Sequence, residues 1–130
     1  SLGKRWSQKT ARADFRLDSP NCFLEGDVTF FQSASEFTRY TGQINQGFDW
    51  SDPNEYLFEI YDTAGIYVMT LHPNFSVNAP PGGSSSFQDD LTNIALEGVE
   101  NFPNVLGYYL SIFHLPGNDL LCSAQINPAP

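Results

Sequence analysis

Two histidines, His72 and His114, are the only imidazoles in this 130-residue chain, and they are its first candidates for chemistry. Either they are two ligands of a metal site, or His114 caps a strand and His72 sits in a solvated loop. Other catalytic arrangements are weaker. Ser84-Ser85-Ser86 lies in a Gly-rich segment with no nearby His and no P-loop Lys, so it reads as flexible linker. Asp89 and Asp90 suggest paired carboxylates of glycosidase type, but adjacent residues of a strand project to opposite faces. Phe48, Trp50, Tyr56, Tyr61, Tyr67, Tyr108 and Tyr109 offer a sugar- or protein-binding platform, or core and cross-strand pairs.

The elements that must position these groups read as β-strands. Asp27 to Gln32 and Glu36 to Ile44 form short β-branched and aromatic runs of hairpin type, and 47–54 is turn-rich. Tyr56 to Asp62 alternates, with Phe58 and Ile60 on one face and Leu57, Glu59 and Tyr61 on the other. A long irregular connection follows from Thr63 to Gln88, of a length that compact domains keep for function or leave disordered. Strand texture returns at 89–97, 105–115 and 120–126. No helical period persists. About seven or eight strands and one long loop predict an all-β, Greek-key antiparallel sandwich or barrel.

Composition bounds the reading. With 41% hydrophobic residues, 130 residues suit one core. No run approaches the roughly 18 apolar residues of a membrane helix. The chain lacks an initiating Met and reads as a processed product or excised fragment. Five of the six basic residues lie in the first sixteen positions, so 1–18 reads as a basic, flexible arm before a domain at 19–130. Lys4-Arg5 is either a dibasic processing site or part of that tail. Residues 17–130 hold one base against fourteen acids, a net of −13, which repels nucleic acid and anionic substrates and favours cations or basic partners. Cys22 and Cys122 are either a disulfide closing a loop of about 100 residues or two buried thiols. The even cysteine count and the Asn74-Phe75-Ser76 sequon point to a secreted, extracellular protein glycosylated at Asn74.

Taken together, Tyr56-Leu57-Phe58-Glu59-Ile60-Tyr61-Asp62, Leu71-His72-Pro73-Asn74-Phe75 and Ser111-Ile112-Phe113-His114 resemble the metal-binding framework of copper/zinc superoxide dismutases. The resemblance runs over about residues 22–126. Gly26-Asp27-Val28-Thr29-Phe30 is similar to the family's first strands, and Thr41-Gly42-Gln43-Ile44 to the strand that follows. Asp89-Asp90-Leu91-Thr92-Asn93-Ile94 resembles its Gly-Asp-Leu-Gly-Asn motif, with Asp90 at the zinc-ligand position. Leu121-Cys122-Ser123-Ala124-Gln125-Ile126 resembles its terminal Ala-Cys-Gly-Val-Ile segment. On this likeness His72 stands for the bridging histidine and His114 for the last copper ligand. Glu59 and Tyr61 replace the two histidines of the family's Phe-His-Val-His strand.

The departures set the expected function. Two imidazoles, a hard carboxylate and a phenol with a pKa near 10 would hold a divalent ion weakly and disfavour Cu(I). Of the zinc set only His72 and Asp90 remain. Asp119 occupies the position of the family's anion-steering Arg, reversing its sign. No loop Cys lies near Ile66, so the likeness leaves Cys22 as the partner of Cys122. The sequence thus predicts a secreted pseudoenzyme, without cofactor, acting as a structural or protein-interaction module toward a basic partner or another copy of itself. Its contacts would lie on the Thr63–Gln88 loop and the acidic surface. The alternatives are a copper or zinc protein using His72 and His114 with Glu59 or Asp90, and a carbohydrate-binding sandwich using Trp50 and exposed tyrosines. In place of metal bonds, Glu59 and Tyr61 would tie their strand to the loop by hydrogen bonds.

Overall fold

The computed structural model describes residues 6–129. It contains nine strands: β1 (Lys9–Phe15), β2 (Glu25–Ser33), β3 (Phe37–Gln46), β4 (Tyr56–Tyr61), β5 (Tyr67–Leu71), β6 (Phe87–Leu91), β7 (Tyr109–His114), β8 (Asp119–Gln125) and β9 (Asn127–Pro128). They form two antiparallel sheets, ordered β6-β3-β2-β1-β9 and β5-β4-β7-β8. The all-β expectation is met, with slightly more strands than expected. Among the described residues no ladder joins the two sheets, so they are not closed into a barrel. Among the described residues no helix is long and apolar enough to cross a membrane.

Part of the expected flexible basic arm is a strand. Lys9–Phe15 is a strand lying between β2 and β9, with Ala11, Ala13 and Phe15 buried and Thr10, Arg12 and Asp14 outward. Its small residues face large ones across the ladder, Ala11 opposite Phe30 and Ala13 opposite Val28, while Phe15 faces Gly26. Gly26 is required there, since a Cβ would come within 2.5 Å of the Gln43 carbonyl oxygen. The outward charges are paired, Arg12 with Asp14 at 3.1 Å and Lys9 with Glu97 at 3.3 Å. The domain therefore begins upstream of residue 19. Lys4-Arg5 lies outside the described residues.

The expected irregular connection Thr63–Gln88 contains a strand and the start of another. After a turn capped by the Asp62 carboxylate, which accepts from the amides of Ala64 and Ile66 at 2.9 Å each, the chain returns as β5 against β4. Phe75 and Phe87 then enter the core beside Phe48 and Phe58, with ring centroids 5.7–6.4 Å apart. Ser84, read as flexible linker, is fully buried: its amide donates to the Ile44 carbonyl at 2.7 Å and its hydroxyl accepts from the Ile44 amide at 3.0 Å.

The connections position everything else. β1, β2 and β3 follow one another in the first sheet, and the chain then crosses to the β4–β5 hairpin. It crosses back so that β6 lies beside β3, and crosses again so that β7 lies beside β4. Gln32, buried within the first sheet, pins the 92–108 connection. Its amide nitrogen donates to the carbonyls of Ser7 (2.8 Å) and Glu97 (3.2 Å), and its oxygen accepts from the amides of Leu96 (2.6 Å) and Glu97 (3.0 Å). Cys22 and Cys122 form a disulfide that joins the β1–β2 connection to β8, and hence one sheet to the other.

Candidate functional site

Strand alternation turns Tyr56, Phe58 and Ile60 of β4 toward the core and leaves Leu57, Glu59 and Tyr61 on the outward face. There the Tyr61 hydroxyl donates to Glu59 Oε1 at 2.6 Å. Glu59 Oε2 accepts from Thr70 Oγ1 at 3.4 Å, and the Tyr67 hydroxyl lies 2.7 Å from Thr70 Oγ1. The two residues thus tie β4 to a strand, β5, rather than to a loop. The hydrogen bond to Glu59 holds the Tyr61 phenol up at about 12, with burial and the Glu59 charge adding to it.

His114 faces the other way. Its cross-strand partner is Tyr56, an inward residue, whereas Glu59 is opposite Ser111. At the end of β7, the outward position belongs to Phe113, which packs edge-on against Tyr61 at 6.3 Å. A shift of one residue in a strand changes face. The buried imidazole stacks on Trp50 at 3.6 Å, and its Nε2 lies 2.9 Å from Glu55 Oε1. Trp50 is in turn held by Tyr56, whose hydroxyl donates to the Trp50 carbonyl and accepts from its amide, each at 2.9 Å. His114 thereby fastens the 47–55 connection to β7.

The remaining expected donors are dispersed. His72 is exposed just after β5. Asp90 belongs to the other sheet, where Arg39 grips it at 2.7 and 3.2 Å and holds its carboxyl below the usual range. Asp119 is exposed at the start of β8, opposite His114 in the ladder. Among the described residues no three His, Cys, Asp or Glu side chains gather where they could hold a metal ion. Glu59, His72, His114 and Asp90 as arranged do not fit the copper or zinc site that the likeness implies.

The aromatic platform is also redistributed. Phe48 and Tyr56 are core residues, stacked at 3.8 Å. Tyr61, Tyr67 and Tyr109 share the outward face of the second sheet. A shallow groove there is lined by Tyr61, Thr63, Tyr109, Ser111 and Ser123, with the two serine hydroxyls bonded at 2.9 Å. Ile66, at the tip of the β4–β5 turn, adds an exposed apolar side chain. The alternation of β4 and β7 contained this signal. Asn74 of the sequon is exposed, while Phe75 beside it is buried.

Another buried group was not foreseen. The Tyr40 hydroxyl has no hydrogen-bond partner among the described residues, and burial, followed by the Asp89 charge, pushes its ionisation up. The His72 backbone, near but outside hydrogen-bond geometry, relieves this only in part.

In comparisons with known proteins the chain matches no family model, no curated protein and no solved structure.

Proposed function

We propose that this is a secreted, non-catalytic domain of superoxide-dismutase-like, Greek-key type that works as a structural or protein-interaction module, with no metal cofactor. The fold assignment is supported by the two crossovers that set β6 beside β3 and β7 beside β4, each strand returning next to the one three before it. Secretion is supported by the disulfide and by the exposed Asn74. The observation that carries the non-catalytic reading is the split between Glu59 and Tyr61, bonded to each other outside the sheet, and His114, turned inward against Trp50 and Glu55. Donors on opposite faces of a sheet cannot share one ion, and an acidic body does not attract a small anion. The test is superoxide consumption by protein loaded with copper and zinc after unbound metal is removed. No acceleration is expected, and rapid dismutation would overturn the reading.

The groove beside Tyr61 and Tyr109 favours a second reading, a carbohydrate-binding sandwich, because aromatic rings beside paired hydroxyls suit a sugar. Glycan binding lost in Tyr61→Ala and Tyr109→Ala, and unaffected by Trp50→Ala, would promote it above the first.

A further inference from the structure

Residues 63–88 contain no Asp, Glu, Lys or Arg, in a chain whose body carries a net −13. The fold places part of this neutral stretch, Tyr67-Val68-Met69-Thr70-Leu71, at the open edge of the second sheet. Unpaired strand edges are templates for another strand, and proteins guard them with charge, proline, coverage or brevity. The other edges here are guarded. β6 carries Asp89 and Asp90, and β9 is two residues long. β8 is covered where the Phe23 amide donates to the Leu121 carbonyl at 2.8 Å and where Cys122 is bridged to Cys22. Among the described residues β5 has none of these devices, and its only ladder partner is β4.

We infer that this edge is where two copies of the chain pair, β5 against β5, antiparallel about a two-fold axis near Met69. The two four-stranded sheets become one, and the outward faces bearing Tyr61 and Tyr67 become continuous. A second copy fits better than a basic partner because the edge is neutral and self-complementary, which is what two anions need where they touch. A basic ligand would seek the acidic surface instead. The inference rests on the interaction-module reading above and names its partner.

The opposing charge gives the test its sign. Repulsion between two acidic bodies is screened by salt, so dimerisation tightens several-fold toward about 1 M NaCl, where the screening length falls to about 3 Å. A charge-attracted partner would be released under the same conditions. Sedimentation velocity across a concentration series is expected to show a monomer–dimer equilibrium with that salt response. Hydrogen exchange at 67–71 is expected to slow as concentration rises. Met69→Pro is expected to abolish the dimer. Tyr67→Asp, at a half-exposed position, gives the same loss with retained strand circular dichroism and keeps the test decisive if the proline variant does not fold. A chain that stays monomeric in high salt, or a dimer protected elsewhere than β5, overturns the pairing. Neither result touches the non-catalytic reading, which the dismutation assay decides separately.

Discussion

Tyr61 and Glu59, two residues apart on the outward face of β4, are joined by a 2.6 Å hydrogen bond in which the phenol donates to the carboxylate. Ionising Tyr61 would break this bond and set two anions side by side, so the protonated phenol is favoured up to about 12 against an ordinary value near 10. Because the folded value is raised, the stabilisation is full below about pH 10 and is lost as pH rises through about 12. Glu59→Gln is expected to bring the Tyr61 titration back toward 10. Site-resolved NMR of the tyrosine ring carbons checks this, and an unmoved titration would contradict it.

Gln32 is expected to be the costliest polar residue to replace. Gln32→Leu removes four hydrogen bonds and leaves backbone groups of Ser7, Leu96 and Glu97 without partners. The expected loss is about 2–4 kcal/mol, read by urea denaturation. A change below about 0.5 kcal/mol, of the size usual for surface substitutions, would show that the 92–108 connection is held otherwise.

Tyr40→Phe has the opposite sign. It deletes a buried hydroxyl that has no partner among the described residues and leaves the ring between Phe30 and Phe87, at 6.2 and 6.3 Å. Stability is expected to be unchanged or to rise by about 1 kcal/mol. A clear loss would reveal a partner for the hydroxyl.

The Cys22–Cys122 bridge spans 100 residues and joins the two sheets. Replacing both cysteines by alanine is expected to cost on the order of 4 kcal/mol, chiefly by freeing the unfolded chain. Denaturation of the bridged protein beside the double variant measures it.

The strands that face the core with alternating large apolar residues, β2, β4 and β7, were legible as sequence. β1 was hidden because its inward residues are mostly alanines and its outward residues carry charge, so a strict two-residue alternation looked like a basic tail. Ala11 and Ala13 matter through what faces them, Phe30 and Val28, and no local property of the segment shows that pairing. β5 was masked in a different way: a tight turn at 62–66 and a bulge near Tyr61 break the alternation where the hairpin begins. For the candidate site the decisive fact was register. The family likeness put His114 with Glu59 and Tyr61, whereas the ladder gives Tyr56 to His114 and leaves the outward position to Phe113.

Copper titration followed by electron paramagnetic resonance tests most directly whether His72, His114 and Glu59 form a metal centre. The account predicts no stoichiometric signal with coupling to two imidazole nitrogens, and no change in the spectrum on His72→Ala, His114→Ala or Glu59→Gln. One tightly held copper per chain, showing two-nitrogen coupling that vanishes when both histidines are replaced, would contradict it.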